Sequence, residues 1–223
     1  MKVGTDGVLL GAWSPTAISH QHSAFSILDV GTGSGLVALM MAQRCLEAQI
    51  DAIDIDEEAV KQAKENIDAS PWRARLHAYC RSLQDWEPST QYDLIVSNPP
   101  YFQNSLKNPD KGRELARHTD SLSYEELIAH SARLLAPNGL LALILPAEAE
   151  QEIRQLAQRY SLYCTHVTRV YSKESKPARR VLIAFKYQHS AISIQPSEDT
   201  LVLEDDKGGR SAAYQELTKD FYL

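Results

Sequence analysis

The sequence predicts an α/β fold: a mostly parallel sheet of seven strands, helices on both faces, and one strand running antiparallel. Three observations predict it. Between residues 25 and 187, short apolar β-type runs alternate with helical patterns, which is the signature of βαβ units. The strand runs are almost continuously apolar, as in a sheet buried on both faces. The last two strand runs are joined by only a short polar stretch, too short for a parallel crossover, so one of them runs antiparallel.

The elements follow in order. FSILDV (25–30) reads as a buried strand and GLVALMMAQRCL (35–46) as a helix. IDAIDI (50–55) is a strand, and EEAVKQAKENIDAS (57–70) a helix with Ala59, Val60, Ala63 and Ile67 on one face. RLHAYC (75–80) and YDLIVS (92–97) are strands, the latter stopped by Asn98-Pro99-Pro100. SYEELIAHSARLLA (123–136) is a helix opened by Ser123 with Glu126 three residues on, a capping box, and closed by Pro137-Asn138-Gly139. LLALILP (140–146) is a strand and EAEQEIRQLAQRY (148–160) a helix. YCTHVTRVYS (163–172) and RRVLIAFKY (179–187) are the last two strands, around a basic loop.

From Ser190 the pattern changes. ISIQPS and TLVLED can form two short strands, and SAAYQELTKDFYL a closing helix with Tyr214, Leu217 and Phe221 spaced along one face. Too few apolar residues remain there for an independent core. The expectation is one domain over 1–223, with a core of about 24–188 and the tail, 190–223, packed on it as an appendage.

Composition narrows the class. Apolar residues make up 43% of the 223 and charged residues 23%, which excludes a disordered or fibrous chain. Cys45, Cys80 and Cys164 are odd in number and lack CxxC spacing, so mostly buried, reduced thiols in a cytoplasmic protein are expected. With no HxxxH pair either, no metal site is expected. No 18-residue apolar run exists to cross a membrane, and the first residues make a poor signal peptide. The net charge of −6 argues against nucleic-acid binding by global charge. The charge is unevenly spread, however. From Ala191 onward seven acidic residues face three basic ones, while basic residues gather at 107–117 and 169–180. A polyanion can be gripped locally by an acidic molecule of this kind.

In open α/β sheets ligands sit outside the carboxyl ends of the strands, which selects the residues to weigh. After the first strand comes Asp29-Val30-Gly31-Thr32-Gly33-Ser34-Gly35. Alternate glycines allow a sharp bend and a close approach to a ligand at a helix N-terminus. The pattern is GxGxG, neither the GxGxxG of dinucleotide binders nor a P-loop, and a plain tight turn fits it too. After the second strand comes Asp54-Ile55-Asp56. A carboxylate at Asp54 can accept hydrogen bonds from ribose hydroxyls, or simply be a solvated strand end; Asp56 fits a helix N-cap. After the fourth strand comes Asn98-Pro99-Pro100-Tyr101. The prolines fix φ and remove two donors, leaving the carbonyls of Asn98 and Pro99 outside regular structure. The Asn98 amide adds an acceptor and two donors, and Tyr101 a flat π-face. Together they suit a planar group bearing an NH₂, although Asn-Pro turns with an aromatic plug also simply end strands.

Asp29–Gly35, Asp54 and Asn98–Tyr101 together resemble a Rossmann-like class I S-adenosylmethionine-dependent methyltransferase of the NPPY type. The resemblance extends over the whole chain. MKVGTDGVLLGAW (1–13), Ser70-Pro71-Trp72, Arg113–His118, Arg180-Val181-Leu182 and Phe221-Tyr222-Leu223 are similar to the bacterial tRNA(Val) (adenine-37-N6)-methyltransferase family. That family carries about two dozen residues ahead of the MKVGTDG run, one strand and turn in length, so Met1 is expected to be an internal methionine.

The resemblance implies an enzyme that methylates N6 of an adenine in the tRNA anticodon loop with S-adenosyl-L-methionine. It implies catalytic roles for Asn98, Pro99 and Tyr101, and cofactor contacts from Asp29, Gly31, Gly33, Gly35, Asp54, Ile55, Ser82 and Asn98. Ser82 stands where the family has an acidic residue meeting the cofactor's adenine, with Asp85 three residues on as a substitute. Phosphate contacts fall to Lys107, Lys111, Arg113 and Arg117, and to Lys173, Lys176, Arg179 and Arg180; each cluster equally suits a solvated charged face. The Gly4–Gly7 stretch suits a loop over the cofactor or a turn that caps the next helix. A monomer is expected, with no membrane and no DNA partner. Alternatives are methylation of guanine N2 in ribosomal RNA or of a protein glutamine, and a non-catalytic RNA-binding protein. A nicotinamide-dependent oxidoreductase is disfavoured by GxGxG and by the lack of a hydride-transfer acid.

Overall fold

The computed structural model describes residues 4–15, 25–99, 122–188 and 195–221. Its elements run α1 (Thr5–Trp13), β1 (Ser26–Val30), α2 (Leu36–Arg44), β2 (Gln49–Asp54), α3 (Glu57–Asp68), β3 (Leu76–Cys80) and β4 (Tyr92–Ser97). They continue with α4 (Tyr124–Leu134), β5 (Leu135–Pro146), a 3-10 turn (Ala147–Ala149), α5 (Glu150–Arg159), β6 (Leu162–Tyr171), β7 (Ala178–Tyr187), β8 (Ser197–Val202) and α6 (Ala212–Thr218). One sheet holds every strand in the order β3-β2-β1-β4-β5-β7-β6-β8. Among the described residues only β7 runs against the others, paired antiparallel with both β5 and β6.

The strands alternate between two apolar layers, as the period of two requires. Ile27, Leu94, Ala142 and Leu182 join Leu10, Met41, Val60 and Ile67 of α1, α2 and α3 on one face. Leu28, Ile95, Leu141 and Ile183 join Leu127, Ile128 and Ile153 of α4 and α5 on the other. The local caps are those expected. Asp56 accepts from the amides of Glu58 and Ala59, and Ser123 and Glu126 form the reciprocal box that starts α4.

Two expectations need correcting. Among the described residues the sheet has eight strands, not seven, because Ser197–Val202 pairs parallel with β6. This strand is mostly exposed and buries only Leu201, so an edge position replaces an apolar run as its reason to exist. The fifth strand begins at Leu135, five residues before LLALILP. Leu135 pairs with Tyr92, and a register shift absorbs the Pro-Asn-Gly stretch. There the two backbones pass so closely that a Cβ on Gly139 would lie 2.7 Å from the Tyr92 carbonyl oxygen.

The sheet order reverses between β1 and β4, the topological switch point where such folds bind ligands. A hydrogen bond fixes the spacing there: Ser97 Oγ, buried at the end of β4, donates to the Val30 carbonyl at the end of β1, 2.8 Å away.

Candidate active site

Gly31, Gly33 and Gly35 have φ of +70°, +56° and +81°, a region that side chains other than glycine's enter only with strain. The bend is pinned on both sides. The amides of Gly31 and Thr32 donate to the Ile53 carbonyl at 2.9 and 3.0 Å. The Gly33 amide donates to Asp54 Oδ2 at 2.8 Å. Beneath the bend, buried Asp29 accepts from Thr32 Oγ1 at 2.6 Å and from the Ala38 amide of α2 at 3.1 Å. Burial outweighs those two hydrogen bonds and pushes the Asp29 carboxyl up to about 6.

The bend, the end of β2 and the end of β4 enclose one cavity of about 580 Å³, lined among others by Gly31, Gly33, Asp54, Ile55, Asn98 and Pro99. That volume is in the usual range for a small-ligand site. Asp54 Oδ1 accepts from the Asp56 amide at 3.0 Å. Each Asp54 oxygen therefore has one backbone donor and one remaining lone-pair direction. Ile55 is 56% exposed at the cavity, an apolar surface that a flat ring would cover. Gly4 and Gly7 close the cavity from the first turn of α1. The Gly4–Gly7 stretch thus both starts a helix and walls the site.

Most positions expected to serve catalysis or the cofactor meet here. Asp29, Gly31, Gly33, Asp54, Ile55, Asn98 and Pro99 line the cavity, whereas Gly35 lies behind it against Ala63. Ser82 is not brought to the cavity. Its hydroxyl donates to Asp85 Oδ2 at 2.7 Å and accepts from the Asp85 amide, so a local turn holds both expected partners. Arg81, Leu83 and Gln84 form that wall instead, and no residue pattern in the sequence marks them. Arg180, expected among the phosphate contacts, turns inward: its Nε donates to Asp6 Oδ2 at 2.9 Å. Lys173 pairs with Glu204 at 3.4 Å, and Lys176 is exposed in the β6–β7 turn. Tyr101, Lys107, Lys111, Arg113, Arg117 and His118 lie outside the described residues. Cys45 and Cys164 are buried and Cys80 exposed, all three as free thiols. No helix among the described residues is long and apolar enough to cross a membrane.

The chemistry of the lining suits an adenosyl cofactor: carboxylate acceptors for hydroxyls, an apolar surface for a purine, and acidic groups for a cation. This fold and cavity define a methyltransferase. The family model for the methyltransferase small domain matches residues 16–169, and the chain belongs to that family. The fold is shared at 16% identity with a predicted O-methyltransferase from Agrobacterium tumefaciens (TM-score 0.73, covering 96% of each chain).

Curated relatives narrow the family. The chain is 46% identical over its full length to a tRNA1(Val) (adenine(37)-N6)-methyltransferase of Phocaeicola vulgatus, covering 91% of that protein. It is 47% identical to the protein of the same name from Parabacteroides distasonis, with the same coverage. The chain belongs to the tRNA1(Val) (adenine(37)-N6)-methyltransferase family.

Proposed function

We propose that this protein transfers a methyl group from S-adenosyl-L-methionine to N6 of adenine 37 in the anticodon loop of tRNA1(Val), acting as a cytoplasmic monomer. The observation that carries the reading is that Asn98 and Pro99 line the same cavity as the glycine bend and Asp54. Family membership supplies the substrate.

Asp54 would hold the ribose hydroxyls, and Ile55 would cover the cofactor's adenine. The bound cofactor supplies an electrophilic methyl carbon on a sulfonium. An aromatic amine is a poor nucleophile because its lone pair is delocalised. The Asn98 side-chain oxygen and the Pro99 carbonyl would accept the two N6 hydrogens and draw the nitrogen toward sp³ geometry. That aims the lone pair at the methyl and stabilises the positive charge developing on nitrogen. Transfer of the methyl would leave the cofactor's sulfur neutral, and the methylated nitrogen would give up its proton to solvent. No strong base is needed; among the described residues the cavity lining contains no histidine or cysteine. Tyr101 would stack on the target base, which is single-stranded in an anticodon loop and so costs little to unstack.

The test is mass mapping of nucleosides in tRNA lacking the modification, before and after incubation with the protein and S-adenosylmethionine. N6-methyladenosine at position 37 is expected. Recovery of N2-methylguanosine without N6-methyladenosine would overturn the reading.

A further inference from the structure

We propose that the Asp6–Arg180 ion pair positions the cofactor wall for methyl transfer, rather than gripping RNA. The inference rests on reading the cavity as the S-adenosylmethionine site.

Asp6 lies between Gly4, the N-cap of α1, and Gly7, and these two glycines close the cavity. The rest of α1 is anchored independently. A Cβ on Gly11 would come 2.6 Å from Met40 Sδ, so α1 and α2 touch closely there. Arg44 Nη1 donates to the carbonyls of Gly11 and Ser14, both at 2.8 Å, fixing the helix's far end. The first turn packs on α2 through Gly7, where a Cβ would lie 3.1 Å from Leu36. Its N-cap is Gly4, which offers no side chain to the free amides. In this turn Asp6 Oδ2 accepts from Arg180 Nε at 2.9 Å.

Arg180, on the interior strand β7, stands at the end of the sheet that carries the substrate turn. It pairs across with Pro146 on β5, while Leu143, three residues earlier on β5, pairs with Ser97, the residue before Asn98. The pair thus ties the wall of the cofactor cavity to β7, which β5 connects to the strand of the substrate turn. Its side chains are 29% and 24% exposed, so solvent screens it less than a surface pair. Positional precision matters here, because a displacement of about 1 Å in a methyl-transfer geometry can cost orders of magnitude in rate.

The experiment measures Kd for S-adenosylhomocysteine by calorimetry, and KM for cofactor and for tRNA, in a set of variants. These are Asp6→Asn, Arg180→Gln, Arg180→Lys, the Asp6→Asn/Arg180→Gln double, and the exchanged pair Asp6→Arg/Arg180→Asp. Each single neutralisation is expected to raise the cofactor Kd and KM about tenfold, with tRNA KM within about twofold of wild type. The double should bind no worse than the poorer single, and the exchanged pair should bind better than the double. Arg180→Lys, which keeps the charge and loses the fork, should fall between wild type and Arg180→Gln; it carries the test if Arg180→Gln does not fold. Single-variant effects that multiply in the double would overturn the proposal. So would a raised tRNA KM in Arg180→Gln with an unchanged cofactor Kd, the mark of a phosphate contact. Wild-type protein that fails to bind S-adenosylhomocysteine would remove the cofactor reading itself, a different failure from variants that bind as well as wild type.

Discussion

The Asp54 carboxylate holds the glycine bend: its Oδ2 accepts the Gly33 amide at 2.8 Å while its Oδ1 accepts the Asp56 amide at 3.0 Å. The residue proposed to bind ribose is therefore also the residue that shapes the loop beside it. One carboxylate serves both because the carboxyl end of β2 lies next to that of β1 in the parallel sheet.

This double duty separates two substitutions. Asp54→Ala should raise the cofactor Kd by about a hundredfold, since it removes charge-assisted acceptors and frees the bend. Asp54→Asn keeps an oxygen for the Gly33 amide and should cost about tenfold. Calorimetric titration with S-adenosylhomocysteine reads both, and equal losses would mean that the loop contact does not contribute.

Asn98 is expected to behave in the opposite way. Removing a group that acts on developing charge lowers kcat by about two to three orders of magnitude. Asn98→Ala should therefore nearly abolish methylation in a single-turnover assay while cofactor Kd changes less than about threefold. Equal loss of cofactor binding in Asn98→Ala and Asp54→Ala would contradict this division of roles.

What the sequence made legible was local. Asp56 and the Ser123–Glu126 box could be read because a cap and its amides lie within three residues of each other. The buried strands could be read because FSILDV and YDLIVS each carry four apolar residues in six. Strand β8 was legible only in part: TLVLED fits a short strand, but an edge strand with one buried side chain carries too little apolar signal to count it in the sheet. The start of β5 was hidden because Pro-Asn-Gly is turn chemistry that the sheet here overrides with a register shift. At the site, the glycine bend and the Asn-Pro turn were visible as strings. The Ser97–Val30 tie spans 67 residues and the Asp6–Arg180 pair 174, and distances like these are set only by the folded topology.

The glycines of the bend are not equivalent. A Cβ on Gly31 would meet nothing within 4 Å, so Gly31→Ala should cost only its φ strain, about 1 kcal/mol, plus cofactor affinity because the methyl enters the cavity. At Gly35 the Cβ would lie 3.3 Å from the Ala63 Cβ and 3.4 Å from its Cα. Backbone there cannot swing aside, and Gly35→Ala should lose about 2–3 kcal/mol. Urea unfolding of both variants measures the difference; equal midpoints would sink the steric account.

Asp29 gives a pH signature. Its carboxyl is pushed from 3.8 up to about 6, chiefly by burial, so the folded chain holds this proton more tightly than the unfolded chain. The stability this provides is complete below about pH 4 and is lost as pH rises through about 6, at most about 3 kcal/mol. Asp29→Asn removes the titration and keeps an oxygen toward Thr32 and Ala38. Stability of the wild type relative to Asp29→Asn should therefore fall across pH 4–6, and parallel curves from denaturant titrations over that range would refute the assignment.

Lys176 offers the cleanest test of the RNA surface. It is exposed in the β6–β7 turn and has no ion pair among the described residues, whereas its neighbour Lys173 pairs with Glu204. A lysine that meets one phosphate releases about one counterion on binding, so its loss flattens the salt dependence by about one unit of slope in log Kd against log salt. Lys176→Ala should therefore weaken tRNA binding several-fold at low salt, flatten that slope, and leave the cofactor Kd unchanged. Lys173→Ala should do less, because freeing Glu204 from its partner also removes a charge already neutralised within the fold. Filter binding across a salt series distinguishes them, and a slope identical to wild type in Lys176→Ala would move the phosphate path away from this turn.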